Sequence, residues 1–202
     1  MGGTIDISFP VLAPAPIPAD HGYHLYAAIS RVLPDLHKSN GLGVHPIGGL
    51  HIGNRLLQLC RWSRLVLRAS CDSISGLIRI SGSQLTIWNT NLRIGVPQVL
   101  ALRPAASLRS RLVTIKGFLD DAPFIDAVRR QLDSLGVSSN AFTTIGKRRT
   151  LRIKDKEIVG YELFLLGLSE GESIRVQEQG IGGRRHMGCG LFLPSERKGT
   201  EG

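Results

Sequence analysis

Six histidines carry most of the acid–base chemistry that this sequence can offer. Five of them fall between His21 and His51, and the sixth, His186, lies in a glycine-rich segment near the C-terminus. Histidine can act as a general acid or a general base near neutral pH, because its unperturbed pKa is about 6.5. Proton transfer by one or two of these side chains is therefore the first chemistry to consider.

The segment around His186 has the second informative pattern. Gly-Ile-Gly at 180–182 and Gly-Cys-Gly at 188–190 flank five residues, three of which are Arg or His. Glycine lets a backbone approach a ligand closely, and arginine and backbone N–H groups bind phosphate. The pattern predicts a loop that carries a polyanion, with an ordinary glycine-rich turn as the alternative. It is not a P-loop, and Arg185 stands where a dinucleotide fingerprint requires its third glycine.

The charge balance also favours a polyanionic partner. Lys and Arg number 25 against 16 Asp and Glu, a net charge of +9, which favours nucleic acid first and an anionic membrane second over a protein that is basic by chance. Three cysteines without a C-x-x-C pair predict reduced thiols in a cytoplasmic protein. No apolar run approaches the ~20 residues of a membrane helix. We therefore expect no metal, no cofactor and no membrane partner.

Apolar periodicity predicts mixed secondary structure in the first half. Residues 5–11 alternate like a half-buried strand, and Asp20 is a good cap for a helix over 21–33, which Pro34 ends. A loop is predicted over 35–49. The other predicted elements are strands at 50–59, 63–69, 84–89 and 92–102 and a short helix at 71–79.

The pattern restarts after 104–107, the best candidate for a linker. The order strand–helix–strand–strand–helix–strand that follows is ferredoxin-like, and the first half fits it less cleanly. The sequence therefore predicts an α+β fold of tandem ferredoxin-like (RRM-like) units with antiparallel sheets, divided into residues 1–104 and 105–202. The predicted elements of the second unit are strands at 112–116, 148–154, 157–167 and 191–194, a hairpin turn at Asp155-Lys156, and helices at 121–135 and about 170–179.

Ferredoxin-like units often bind RNA through stacking aromatic side chains. Aromatic residues make up only 5% of this chain, and the usual stacking positions lack them. Recognition by phosphate contact and shape is therefore expected rather than stacking on single bases.

Two segments make the chain resemble a known family. These are Asp20-His21-Gly22-Tyr23 through Leu36-His37 and the glycine-rich segment Gly180–Gly190. Together they resemble the CRISPR-associated endoribonucleases that process precursor CRISPR RNA, in particular the compact members found in type I effector complexes.

The resemblance implies a definite activity. Members bind the stem-loop of a CRISPR repeat and cut at its 3′ base without a metal ion. The upstream 2′-hydroxyl attacks the phosphate and leaves a 2′,3′-cyclic phosphate and a 5′-hydroxyl. Many members stay bound to the mature guide RNA beside other protein subunits. Some use a histidine after the first helix with a tyrosine and a lysine. His37 matches that histidine, whereas Ser30 lies near the tyrosine position and Lys38 is off the expected spacing.

Three histidines are the candidate catalytic residues. His37 ranks first because it lies in a polar loop beside Lys38, with an ordinary surface histidine as the alternative. His21 ranks second, since the positive end of the helix dipole would favour its neutral form; a capping or buried structural role is the alternative. His45 ranks third. His186 is predicted to contact RNA and is the main catalytic rival to His37.

Basic side chains form the predicted RNA-binding surface. Arginine binds phosphate in a bidentate manner, and a solvated face is the alternative for each single residue. Lys116 could reach the scissile phosphate. The predicted RNA-binding residues are Arg129, Arg130, Lys147, Arg148, Arg149, Arg152, Lys154, Gly182, Gly183, Arg184, Arg185 and His186.

Two other functions remain open at this point. The chain could be a catalytically inactive RNA-binding subunit of an effector complex, because the glycine-rich segment and the basic residues would be the same. It could also be an unrelated basic RNA-binding protein, which would show no preference for a repeat hairpin.

Overall fold

The computed structural model describes residues 3–35 and 41–195, so the predicted catalytic residue His37 lies outside the described residues. Within those ranges, no helix is long and apolar enough to cross a membrane. The helices are α1 (Gly22–Val32), α2 (Ile74–Leu77), α3 (Asp121–Ser134) and α4 (Glu170–Gln179). The strands are β1 (Thr4–Leu12), β2 (Ile17–Pro18), β3 (Gly43–His45), β4 (Leu50–His51), β5 (Leu56–Gln58), β6 (Arg64–Ser70), β7 (Gln84–Ile87), β8 (Thr90–Ile94), β9 (Gln98–Ala101), β10 (Ser107–Val113), β11 (Phe142–Ile153), β12 (Lys156–Leu166) and β13 (Leu193–Pro194).

The chain divides into two compact units, and the first is Met1–Ala101 together with His186–Gly188. Its main sheet has the order β3-β6-β1-β8-β7. Strand β1 pairs with β6 along one side, and along the other side it pairs first with β9 and then with β8. Two segments thus share the position beside β1 that one strand fills in a simple ferredoxin-like sheet. A separate small sheet has the order β2-β5-β4.

Helix α1 covers one face of this sheet because its apolar side chains recur at helical spacing. Leu25 and Ile29 are buried in the same cluster as Ile7 and Phe9 of β1. The residue that caps α1 is His21 rather than the predicted Asp20, and its side chain makes no capping hydrogen bond.

The second unit, Leu102–Arg185 with Cys189–Gly202, has the predicted ferredoxin-like order of elements. Its sheet has the order β11-β12-β10-β13, with every pair antiparallel. Leu163 and Leu165 point to the face that packs against Phe124 and Val128 of α3. Since side chains alternate along a strand, Glu162 and Phe164 point to the opposite face.

Several element boundaries differ from the sequence-based expectation. The predicted loop over 35–49 contains β3, and β10 begins inside the predicted linker. The predicted strand at 92–102 is two strands, because the Gly95 N–H turns aside to bond the Pro10 carbonyl and Pro97 has no N–H to donate. Strand β11 begins at Phe142, since a bulge between Ile145 and Arg148 hides its alternation.

Shorter segments differ as well. The predicted helix at 71–79 is α2 between two single 3₁₀ turns, at Cys71–Ser73 and Ile78–Ile80. The predicted strand at 50–59 is the pair β4 and β5. The hairpin of the second unit turns at Lys154-Asp155, one residue before the predicted position, because Ile153 pairs with Lys156.

Candidate nucleic-acid interface

The two ends of the glycine-rich segment are joined to each other and to the end of β10. The Ile181 N–H donates to the Gly190 carbonyl at 3.3 Å, and the Gly190 N–H donates to the Leu112 carbonyl at 2.8 Å. The Gly183 N–H donates to the Thr114 carbonyl at 3.0 Å, and the Gly182 N–H donates to Gln131 Oε1 at 2.8 Å. The segment is therefore held from both ends by the second unit itself.

Close backbone contacts explain why three of these residues are glycine. A Cβ on Gly180 would lie 2.3 Å from the Gly190 carbonyl oxygen, and a Cβ on Gly190 would lie 2.2 Å from that of Ile181. A Cβ on Gly182 would lie 2.5 Å from the Thr114 oxygen, whereas Gly183 has open space. The N–H groups of Gly182 and Gly183 donate inside the protein, so they are not the backbone donors that this segment would offer to a phosphate.

The cationic groups that this segment offers to an anion are its arginine side chains. Arg184 is half-buried and has a left-handed backbone with φ of 62°, which is uncommon for a residue other than glycine. Arg185 donates from Nη2 to the Glu178 carbonyl at 2.6 Å, so α4 orients its guanidinium. Both residues belong to the second unit.

His186 and Gly188, at the tip of the segment, belong to the first unit. The His186 ring lies against the Tyr26 ring of α1, with centroids 4.5 Å apart. A Cβ on Gly188 would lie 2.6 Å from Pro46 Cγ, so this glycine is also required by close packing. Tyr26 lies one turn before Ser30 on α1, so the tyrosine that the structure places beside His186 is one turn from the position considered in the sequence.

His21 has a structural position. It is 1% exposed, its Nδ1 lies 2.8 Å from the Pro18 carbonyl oxygen, and its Nε2 accepts a hydrogen bond from the Ile47 N–H at 2.9 Å. A neutral ring that donates from Nδ1 and accepts at Nε2 satisfies both contacts. Both ring nitrogens are therefore used to join the start of α1 to the segment after β3. This is a buried structural role, which the sequence analysis gave as the alternative to catalysis for His21.

His45 is also buried, on the short strand β3, where it pairs with Val66. His51 lies on β4 and is exposed. His24 is half-buried on α1 beside Tyr23. The described histidines of residues 21–51 therefore lie on three different elements and at the start of one, namely α1, β3, β4 and the cap of α1.

A cluster of charged residues lies on the face of the second unit's sheet away from α3. Glu162 accepts a hydrogen bond from Arg109 Nε at 2.7 Å and a second, shorter one from Arg109 Nη2. Arg149 Nη2 lies 3.7 Å from the same carboxylate oxygen, and the Lys147 N–H donates to the other oxygen at 3.3 Å. We call Arg109, Lys147, Arg149 and Glu162, with Phe164 beneath Arg109, the Glu162 cluster.

The Glu162 cluster holds its arginines in fixed positions. Burial raises the pKa of Glu162, but the hydrogen bonds from Arg109 and the Lys147 N–H, with the Arg149 charge, hold it below its ordinary value. The carboxylate therefore stays ionised. The Arg109 guanidinium lies 5.7 Å from the Phe164 ring centroid, and its side chain is 46% exposed. One face of the cluster can thus still bind a phosphate.

The structure brings only part of the predicted basic surface together. Lys147 and Arg149 meet in the Glu162 cluster, and sequence reasoning missed Arg109 there because β10 and β12 are far apart in sequence. Arg152 and Lys154 are exposed near the hairpin end, and Arg148 pairs with Tyr161. Arg129 and Arg130 lie on α3, which covers the other face of the sheet; they contact Asp126 and the Phe118 ring.

Residues 3–35 and 41–195 contain no group of three or more His, Cys, Asp or Glu side chains that could hold a metal ion. Glu162 and Glu172 are two acidic residues with lowered pKa values. Arginines and the Lys147 N–H hold Glu162, and the Ser169 and Ser138 N–H groups hold Glu172.

Comparison with known proteins gives consistent matches over nearly the whole chain. The family model described as Cas6 Crispr matches residues 5–197. A relative from Myxococcus xanthus (strain DK1622), named CRISPR-associated endonuclease Cas6, is 45% identical over 193 residues, which are 96% of this chain and 82% of that relative. These matches confirm the family resemblance.

Solved structures confirm the fold. A Cas6-related protein from Pyrococcus furiosus superimposes with a TM-score of 0.68 at 18% identity, covering 97% of this chain and all of the other. A structure described as an RAMP protein binding different RNA substrates gives 0.67 at 16% identity, covering 95% of this chain and all of the other. At these identities the likeness concerns the fold alone, and it agrees with the predicted α+β architecture.

Proposed function

We propose, from the premise that this chain belongs to the Cas6 family of CRISPR-associated proteins, that it binds the stem-loop of a CRISPR repeat and cuts the precursor RNA without a metal ion. The observation that carries the proposal is the 45% identity with a relative named as an endonuclease, over nearly the whole chain. The nuclease class itself is shown by that match; the substrate and the mechanism are our proposal.

The proposed reaction is an internal transfer of a phosphate ester. A base removes the proton of the 2′-hydroxyl, the resulting oxygen attacks the adjacent phosphorus, and the bond to the leaving 5′-oxygen breaks as an acid protonates it. The products are a 2′,3′-cyclic phosphate and a 5′-hydroxyl. Negative charge grows on the phosphate oxygens in the transition state, and positioned arginines stabilise it.

His37 is the first candidate for proton transfer, because it matches the family histidine and because His21 and His45 are buried. His186 is the second candidate, since its half-buried ring lies against the Tyr26 side chain. We assign His21 a positioning role: it joins the start of α1 to the segment at Ile47.

RNA binding is proposed to use the basic side chains of the second unit. Arg184 and Arg185 in the glycine-rich segment and Arg109 and Arg149 in the Glu162 cluster can each contact phosphate oxygens. Lys147, Arg148, Arg152 and Lys154 extend this surface along β11 and its hairpin. Arg129 and Arg130 keep their predicted role as contacts on α3. Residues 1–104 would then supply the proton-transfer histidine, and residues 105–202 most of the phosphate contacts.

The proposal includes retention of the product. After cleavage the protein is expected to keep the mature guide RNA and to join other subunits of a type I effector complex in the cytoplasm. This extension is supported by the resemblance of the two sequence segments to compact members of the family.

The testing experiment uses a labelled repeat stem-loop in EDTA, with a second RNA carrying a 2′-deoxy nucleotide at the cut. We expect cleavage of the first RNA and none of the second. His37→Ala should lower the cleavage rate about 10²- to 10⁴-fold, the usual contribution of a general acid or base, with RNA affinity retained. His51→Ala, at an exposed histidine on β4, is the matched control.

The other outcomes separate the alternatives. Tight binding of the repeat without cleavage would identify an inactive RNA-binding subunit. Equal binding of the repeat and of unrelated stems would contradict repeat recognition. Loss of cleavage in EDTA would contradict the metal-independent mechanism.

A further inference from the structure

Trp88 occupies an unusual position in the first unit. It is the first of two residues, Trp88-Asn89, that join β7 to β8, because Ile87 pairs with Thr90. Its φ is 54°, in the left-handed region, where glycine is the usual residue at this position of a hairpin turn. A bulky side chain in this region is an outlier, and such outliers concentrate at functional sites.

The indole of Trp88 is largely in solvent. It is 61% exposed, so burial does not compensate for the unfavourable backbone. The His24 ring meets it edge-on, with centroids 5.1 Å apart and planes at 63°, and Tyr23 meets His24 in the same way at 5.3 Å. The edge-on contact with His24 leaves most of the Trp88 indole surface open to a ligand.

The other exposed residues of the β7–β8 hairpin that presents Trp88 are polar. Gln84 lies opposite Arg93 and Thr86 opposite Asn91, and all four are exposed. The Thr86 hydroxyl donates to Asn91 Oδ1 at 2.8 Å. The segments 21–33 and 84–94 contain no Asp or Glu. A hairpin that presents an open aromatic ring, and whose other exposed groups are amides, a hydroxyl and a guanidinium, suits nucleic acid, whose bases stack and whose phosphates repel carboxylates.

A protein partner would fit another part of this unit better. Val96, Val99 and Leu100, at and before β9, are exposed apolar side chains, and such patches mark protein contacts. The other exposed residues of the β7–β8 hairpin that presents Trp88 are polar instead. The chemistry around Trp88 therefore favours a nucleobase.

We propose that Trp88, supported by His24 and Tyr23, is a stacking site for an unpaired base of RNA next to the repeat stem-loop. This inference rests on the proposed function, since it supposes an RNA ligand, and it adds a base contact to recognition by phosphate. Trp88 is a binding residue in this proposal and takes no part in proton transfer. Stacking of one base on an aromatic side chain contributes roughly 5- to 150-fold in affinity.

The test uses two RNAs, the bare repeat stem-loop and the same stem-loop with a short unpaired extension at either end. The chain has two tryptophans, so Trp62→Phe leaves Trp88 as the sole indole. In the Trp62→Phe variant, we expect the extended RNA to quench the fluorescence of Trp88. The bare stem-loop should leave this fluorescence unchanged. Trp88→Gly should raise Kd for the extended RNA by about 5- to 150-fold and leave Kd for the bare stem-loop unchanged.

Stability distinguishes a binding role from a structural one. Glycine adopts a φ of 54° without strain, so Trp88→Gly should keep or raise Tm. A marked loss of Tm would show a structural role and overturn the proposal. Trp62→Ala, at a tryptophan that is 55% exposed in another turn, is the matched control and should leave both affinities unchanged.

Failure of this inference and failure of the proposed function are separable. Cleavage of the bare stem-loop without quenching by the extended RNA would overturn the stacking site alone. Quenching without cleavage would support the stacking site and contradict the proposed reaction. Unchanged RNA affinities in Trp88→Gly would overturn the stacking site and would leave this surface to a protein partner.

Discussion

At the scale of single residues, the glycines of the glycine-rich segment differ in what they allow. Gly190 has a φ of 66°, and its position brings it against the Ile181 carbonyl oxygen. Gly183 meets nothing within 4 Å. Glycines that look equivalent in the sequence pattern of this segment therefore differ in whether they can accept a side chain.

Gly190→Ala is expected to destabilise the protein and to weaken RNA binding. The new Cβ would lie 2.2 Å from the Ile181 oxygen at a left-handed φ, so the joined ends of the segment must separate. Such backbone strain costs about 1–3 kcal/mol, which thermal or denaturant unfolding would measure. Gly183→Ala is the control, and a Tm loss equal to that of Gly190→Ala would contradict this explanation.

At the scale of elements, α4 is fixed by a capping box. Ser169 accepts from the Glu172 N–H, and the Glu172 carboxylate accepts from the Ser169 N–H at 2.8 Å. The same carboxylate accepts from the Ser169 hydroxyl at 2.7 Å and from the Ser138 N–H, also at 2.7 Å, so it joins α4 to the loop after α3. These hydrogen bonds lower the pKa of Glu172 to about 2.

The low pKa of Glu172 predicts an acid-sensitive part of the stability. Since the unfolded chain has a glutamate pKa of about 4.3, the carboxylate stabilises the fold fully above that pH. Its contribution is lost as the pH falls from about 4 towards 2. Glu172→Gln should therefore be less stable than the wild type at neutral pH, with the difference vanishing in acid.

Denaturant midpoints measured over this pH range would check the prediction. Glu170→Gln is the control, because Glu170 is exposed in the same helical turn. A difference between wild type and Glu172→Gln that is constant with pH would contradict the assigned role of the carboxylate.

At the scale of the whole molecule, the charge of +9 predicts strong salt dependence of RNA binding. Each phosphate contact releases counterions, so the slope of log affinity against log salt counts the contacts. Arg109 and Arg149 are oriented by Glu162, and both are expected to contribute to this slope.

Arg109→Gln and Arg149→Gln should each lower the slope by about 0.7 to 0.9, the effect of one phosphate contact. Affinity titrations with the repeat stem-loop at several salt concentrations would measure it. Arg61→Gln, at an exposed arginine of the first unit, should leave the slope unchanged. Slopes that fall equally in all three variants would indicate a general charge effect rather than these contacts.

Local patterns were sufficient for much of the fold and for the family. The order of elements in the second unit follows from periodicity, and the capping box of α4 follows from Ser169 and Glu172 three residues apart. The paired Gly-apolar-Gly triplets indicated the family, which the matches to Cas6 proteins confirm. Each of these features is carried by residues close together in the sequence, so no knowledge of the three-dimensional arrangement was needed.

Contacts between distant residues were decided by the tertiary structure. Arg109 meets Glu162 because β10 pairs with β12, and at the bulge in β11 the backbone of Gly146 lies close to the same carboxylate. The burial of His21 depends on the Ile47 N–H, and the exposure of Trp88 depends on the turn between β7 and β8. Register, bulges and turn geometry arise from packing of the whole chain, so residue types alone do not determine which side chains meet.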